Sequence, residues 1–418
     1  QTCALPISLD ESVLANLSYR EIGPTRQSGR FVDIAVPSQR PYTFYIASAS
    51  GHLWKTDNNG ITFDVLFDDE AVFSIGAIAV APSDPTILYL GSGEANNSRS
   101  SYWGDGVYKS TDEGESWTNI GLRDSQHIGR IVVHPTNPDV VYVAALGHLY
   151  SENEERGLYK TTDGGRSWTR VLGPQVEGRR IGVVDVVMDP SDPKTLYAGM
   201  YTHLRRPWRF DDGGRETAVY VSRDGGDTWK KITTTPDEPM ARIGLSVAQS
   251  RPNIVYLITE YPTAGTLFRS EDYGETWTMV NDDKNQINFR PFYYSDVFVD
   301  PSDHETLFTL SGGLSKSTDG GRTFQRIAND VHGDHQALWI DPADPERMIG
   351  CDDGGAWVSS NAGRSWSTVY NQPTAQFYHV AVDDQFRTVN CSSQAVELLR
   401  PSRPVATAAT AAAGGQQE

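Results

Sequence analysis

Acid–base cleavage of a glycosidic bond needs two carboxyl groups on one surface, about 5–5.5 Å apart for a nucleophilic route or about 6.5–9.5 Å for a water-mediated one. Five acids are candidates for such a pair. Asp33, Asp185 and Asp296 lie inside short apolar runs, Glu94 heads a polar loop, and Asp334 stands in the run His332-Gly333-Asp334-His335. His332, Asp334 and His335 are also the one metal-like cluster, although three ligands this close in sequence carry little weight, and no cofactor is expected. Ser–His–Asp and phosphate-loop motifs are not evident.

A second kind of chemistry is recognition. Three stretches interleave charged and amide groups with aromatic rings: Glu94–Asp105, Gly147–Arg156 and Tyr201–Glu216. Rings can stack on a sugar or peptide while polar groups orient it. The residues best suited to that are Glu94, Arg99, Tyr102, Trp103, His148, Tyr150, Arg205, Arg206 and Trp208. The plainer alternative is that these stretches only cover the edges of a sheet.

The elements that must position these residues follow from a repeat. The pattern Ser/Thr-x-Asp/Asn-x-Gly-x-Ser/Thr-aromatic starts at Thr56, Ser110, Thr161, Ser222, Ser270, Ser317 and Ser359, at intervals of 42–61 residues. This is the Asp box. A strand ends at the hydroxyl residue, the acid caps a tight turn, glycine takes a positive φ, and the ring opens the next strand. Asp112, Asp163, Asp224, Asp272 and Asp319 are therefore turn-formers before anything else. Ahead of each of the last six boxes runs an apolar strand, a turn and a second strand, as in IGRIVVHPTNPDVVYVAA from Ile128. Four short antiparallel strands per unit predict an all-β fold, a β-propeller with seven complete blades and the start of an eighth at Gln376–Asp384. The three polar stretches fall between second and third strands of blades 2, 3 and 4, and so are expected on one face.

Residues 17–386 are expected to form the propeller, with Leu17–Gly23 as an outer strand of the last blade. Residues 1–16 fit no element, and 387–418, ending in Ala/Gly-rich sequence, are expected to be a disordered tail. Lys plus Arg number 36 and Asp plus Glu 54, a net charge of −18 that disfavours nucleic acid and anionic membranes. No apolar run approaches the ~20 residues of a membrane-spanning helix. Three cysteines are too few and scattered for a disulfide framework.

With these motifs on the page, the chain from about Leu17 to Phe386 resembles the N-terminal propeller of large secreted bacterial proteins with sortilin-type, bacterial-neuraminidase-repeat domains. The likeness rests on IGPTRQSGR (Ile22–Arg30), ASGHLWKT (Ala49–Thr56), GSGEANNSRSSYWGDGVYKSTD (Gly91–Asp112), AALGHLYSENEERGLYKTTDGG (Ala144–Gly165), GDHQALWIDP (Gly333–Pro342) and NQPTAQFYHVAVDDQF (Asn371–Phe386). The resemblance implies a secreted, periplasmic or cell-surface location and further domains in the same polypeptide, of which this chain would be a fragment. It implies a protein, peptide or glycan ligand, held by the blade 2–4 loops without catalysis. Its alternative is a glycoside hydrolase using paired carboxylates, since proteins that resemble it are often labelled so. The Arg-Ile-Pro start of a sialidase site is absent, and xyloglucan-cleaving enzymes set a second propeller across a cleft.

Overall fold

The computed structural model describes residues 29–173, 180–233, 235–262 and 265–369, with 371, 372, 374, 377–382 and 389–393. Seven antiparallel blades follow one another around a ring, and almost no helix is present among these residues. In each of the first six blades, four strands run in sequence order from the axis outward, as in Ile128–Val133, Val141–Ala145, Gly157–Thr161 and Thr169–Leu172. Second strands such as VYVAA and FYIAS are buried throughout, because each is covered by a neighbouring blade on both sides.

Inner strands crowd the axis. A Cβ on Gly129 would stand 2.1 Å from the Val184 carbonyl of the next blade, and one on Gly244 1.8 Å from that of Ser295, so only glycine fits at either place. Further out, tyrosines on second strands reach across to the following blade. Tyr45, Tyr89, Tyr142, Tyr197 and Tyr256 donate their hydroxyls to the carbonyls of Glu113, Pro138, Gly225, Tyr273 and His304.

The ring closes at seven, with Phe31, Phe44 and Ile46 of blade 1 packed on Ala337, Ile349 and Cys351 of blade 7. Arg347 of blade 7 stacks between Tyr42 and Trp339 and reaches Asn59 Oδ1 of blade 1 at 2.7 Å. Among the described residues blade 7 has three strands, and the outer edge of its third is met by Ser367 and Gln372. Ser367 pairs with Val358, and the Gln372 amide bonds both backbone groups of Ala356. The expected outer strand at Leu17–Gly23 lies outside the described residues. The expected eighth inner strand forms at Phe377–Val382 and pairs with Val389–Ser393 in a two-stranded sheet of its own. That second strand corrects the reading of everything after residue 386 as disordered: backbone pairing, rather than an apolar period, orders it. Cys351 is buried with a free thiol. Among the described residues no helix is long and apolar enough to cross a membrane.

All seven eight-residue repeats make the same turn between third and fourth strands. In blade 2 the Gly114 N–H donates to Ser110 Oγ, and the Ser116 N–H and hydroxyl donate to the two Asp112 oxygens. These bonds hold Asp163, Asp224 and Asp319 down at about 2. Asn58 and Asn361 occupy the same position in blades 1 and 7, accepting the same backbone N–H. Because the folded acids lie below their ordinary value of 3.8, their stabilisation is present above that pH and lost as pH falls towards 2. Changing Asp163, Asp224 and Asp319 together to Asn is therefore expected to give a folded protein with a melting temperature close to wild type at neutral pH. Its acid unfolding should begin at lower pH, and a variant that melts far earlier at neutral pH would show that the charge itself holds the turn.

Candidate functional site

The turns of the repeats and the first-to-second-strand turns share one face of the ring. The opposite face carries the loops between second and third strands, and there Glu94, just beyond the strand Asp84–Ser92, meets Arg30, just before Phe31–Ala35. Their ion pair is 2.8 Å long and wholly buried. Burial pushes the Glu94 carboxyl up to about 7, with Arg30 opposing the rise. Two residues on, Asn96 crosses the channel mouth, accepting from Arg242 Nη1 of blade 5 at 2.6 Å and donating to Gln336 Oε1 of blade 7 at 2.5 Å. Glu94–Asn97 thus forms a cap tied to blades 1, 5 and 7.

Below that cap, the inner-strand acids converge on one cation. Arg130 Nε lies 3.0 Å from Asp185, and its two terminal nitrogens lie 3.9 Å from Asp33 and 3.8 Å from Asp296. Asp33 also accepts the N–H groups of Ile34 and Ile78, and Asp185 that of Leu245, each bond reaching either along its own strand or to the next blade. Burial raises Asp33 and Asp296, with Arg130 among the groups opposing it. These three carboxylates are thus engaged in holding inner strands together.

The three polar stretches do meet. The Tyr150 hydroxyl lies 3.3 Å from the carbonyls of Arg99 and Ser101, and the Arg205 N–H donates to Leu149 O at 2.7 Å. Gly147–Arg156 is wound around the buried Arg156, which donates to the carbonyls of Leu146, His148, Ser151 and His203 and to Asn153 Oδ1. His148 is turned to Asp124 and Ser151. Tyr201–Glu216, read as a loop, is instead a hairpin: the second strand of blade 4 runs on to Arg206 and pairs with Arg209–Asp212. Trp208 stands at its tip, 78% exposed, while Tyr102, Trp103 and Tyr150 are 39%, 61% and 41% exposed. Arg206 lies 3.8 Å from Glu152. At the hairpin base Tyr201 donates to Asp212, whose carboxyl burial raises to about 6.

On blade 7 the metal-like cluster does not assemble. His332 Nδ1 faces the Gly333 carbonyl and buried His335 lies 3.9 Å from Asp352, while Asp334 accepts from the Tyr294 hydroxyl. No group of three ligating side chains among the described residues could hold a metal ion. The Asp334 charge instead acts on a second carboxyl, Asp353. Asp353 is pushed up to about 6 by burial and by the Asp334 charge, and donation from Gln336 Nε2 at 3.3 Å and the charge of Arg30 oppose this. Asp334 has a φ of 62°, a costly conformation for a residue with a side chain. Arg30, Tyr294 and Asp353 were not singled out from sequence, whereas Asn96 and Asp212 belong to the polar stretches read there as candidates for recognition. The departure of CDDGG (Cys351–Gly355) from the Ala- and Gly-rich ends of other second strands was the available signal for Asp353.

A family model described as Sortilin-Vps10 (Sortilin, neurotensin receptor 3) matches residues 105–263 and 265–405. An oligoxyloglucan-reducing end-specific xyloglucanase of Emericella nidulans is 23% identical over 351 residues, 71% of this chain and 40% of that protein. A xyloglucanase of Acetivibrio thermocellus is 25% identical over 302 residues, 62% of this chain and 33% of the relative. The chain thus spans less than half the length of either. Among solved structures, a GH74 xyloglucanase from Xanthomonas campestris superposes with a TM-score of 0.60 at 20% identity, over 83% of this chain and 54% of that one. YCF48 bound to D1 peptide superposes at 0.53 and 15% identity, over 82% and 97%. At these identities the structures show a shared fold.

Burial raises Glu94 to about 7 and both Asp212 and Asp353 to about 6, so the folded protein holds protons that the unfolded chain releases at 4.5 and 3.8. Their contribution to stability is complete below those ordinary values and is lost as pH rises through 6 to 7. Thermal unfolding followed across that window is expected to show the decline. Glu94→Gln, whose amide oxygen can still accept from Arg30, is expected to remove its upper part. An identical pH profile in that variant would mean that Glu94 does not titrate there.

Proposed function

Since the chain belongs to the Sortilin-Vps10 family, we propose that its loop face grips a polysaccharide and that this propeller is the sugar-binding part of an extracytoplasmic glycoside hydrolase. The observation that carries this reading is the pair Asp334 and Asp353 beside exposed rings: Arg30 lies 6.0 Å from the Tyr102 ring and is felt by Asp353, whose other neighbour is Asp334. Two carboxyls with different surroundings are what acid–base division of labour requires. Asp353, protonated below about 6, gives its proton to the departing glycosidic oxygen. Asp334, held by the Tyr294 hydroxyl, would meet the developing positive charge at the anomeric carbon as the C–O bond breaks, and water adds to that carbon and gives up a proton to replace the one Asp353 donated. Tyr102, Trp103, Tyr150 and Trp208 would stack on successive sugar rings. The relatives named xyloglucanases support a neutral β-glucan main chain as the substrate class.

A second reading, a peptide-binding propeller without catalysis, is favoured by one finding: the structure solved with a peptide is matched over 97% of its length, against 54% for the xyloglucanase. One set of measurements separates the two. Affinity electrophoresis against xyloglucan, other polysaccharides and a peptide library is expected to show retention by xyloglucan, weakened roughly tenfold by Trp103→Ala or Trp208→Ala. Release of reducing ends should fall as pH rises through about 6 and vanish in Asp353→Asn while binding persists. Retention by peptides alone would leave the second reading, and binding without reducing ends in the wild type would remove the catalytic half of the first.

A further inference from the structure

Arginines on the loop face are mostly neutralised. Arg30 has Glu94, Arg123 has Asp105 at 2.9 Å, Arg180 has Asp211 at 3.3 Å, and Arg206 has Glu152 at 3.8 Å. Arg99 and Arg205 differ: among the described residues neither guanidinium has a carboxylate within ion-pair distance, in a chain with an excess of 18 negative charges. The two come from different blades and are brought together around Tyr150. Its hydroxyl donates to the Arg99 carbonyl, and its backbone neighbour Leu149 accepts the Arg205 N–H. Arg205 lies flat against Phe210, 4.5 Å from its centroid, with its Nε buried and unpartnered. The charge of Arg99, added to burial, makes protonated Arg205 harder to keep. Arg99 and Arg205 lie close enough for their charges to repel, and an anion beside the half-buried Arg205 would offset that repulsion.

We infer that Arg99, Arg205 and Tyr150 form a carboxylate-binding subsite that takes a uronate substituent of the polysaccharide. Guanidinium forks match a planar carboxylate and bind it with two parallel hydrogen bonds. Tyr102 and Trp103 follow Arg99 in the same loop and Phe210 backs Arg205, so a sugar ring can stack while its carboxylate is held. Isolated uronates on a neutral main chain suit the charge of the protein, whereas a densely charged polyphosphate would be repelled by it. The inference rests on the polysaccharide reading and adds to it: the bound chain is acid-substituted.

The probes are glucuronoxylan, the same polymer with its carboxyls reduced to alcohols, and neutral xyloglucan. The wild-type chain is expected to bind glucuronoxylan roughly ten- to a hundredfold more tightly than its reduced form, the worth of one or two hydrogen bonds to a charged group. The preference should shrink as salt is added and disappear in Arg99→Ala and in Arg205→Gln. Arg99 is exposed, so Arg99→Glu serves as a second test should Arg205→Gln melt early, and it should invert the preference. Equal binding of the two xylans, or a preference untouched by either arginine change, overturns the subsite while xyloglucan retention keeps the polysaccharide reading. No retention by any of the three polymers overturns both. Arginine-dependent capture of free peptide C-termini without polysaccharide binding overturns both as well, and assigns the subsite to a peptide.

Discussion

Inner strands of adjacent blades approach until backbone meets backbone, and this closeness governs the rest of the molecule. At Gly129 and Gly244 neighbouring inner strands leave no room even for a methyl group. Whatever projects into the axial channel must be packed and paired there. The chain fills it with Arg130 ringed by Asp33, Asp185 and Asp296, and closes one mouth with Asn96. Buried charges of this kind are strongly destabilising if one partner is lost, which ties each of three blades to a fourth. The axis is consequently held by charge pairing between inner strands.

Much of the ring could be read from the amino-acid sequence because its parts are local. Each repeat of eight residues makes its bonds within itself, so a turn such as Ser110–Trp117 is as visible in one dimension as in three. The interval between repeats then sets the blade, and the excess length in blades 2 to 4 marks the loop face. Asp33, Asp185 and Asp296 were harder to judge. An acid in an inner strand reads equally as a catalytic group or a clasp, and only the arrival of Arg130 from a different blade decides. The hairpin at Tyr201–Glu216 was hidden for another reason: THLRRPWRFDD has charges on both sides of the strand and a proline at its turn, with no apolar alternation to betray pairing. Asp334 and Asp353 come within electrostatic reach because the first and second strands of blade 7 bring their loop-face ends together, a relation that spacing alone does not encode.

The two faces divide the cost of the fold unequally. On the turn face the hydroxyl, the acid or amide and the glycine N–H of each repeat bond one another, and tyrosines bind the blades to one another at each of five junctions. Losing one such contact leaves the others in place, because a ring of similar units spreads its stability over many interfaces. The loop face uses that margin. There Glu94 and Asp353 are held with raised proton affinity, Asp334 adopts a left-handed backbone, and Arg205 keeps a buried Nε without a hydrogen-bond partner. The loop face, where Glu94, Asp212 and Asp353 keep a raised proton affinity, therefore differs in kind from the turn face, whose repeated acids are held low by their own hydrogen bonds.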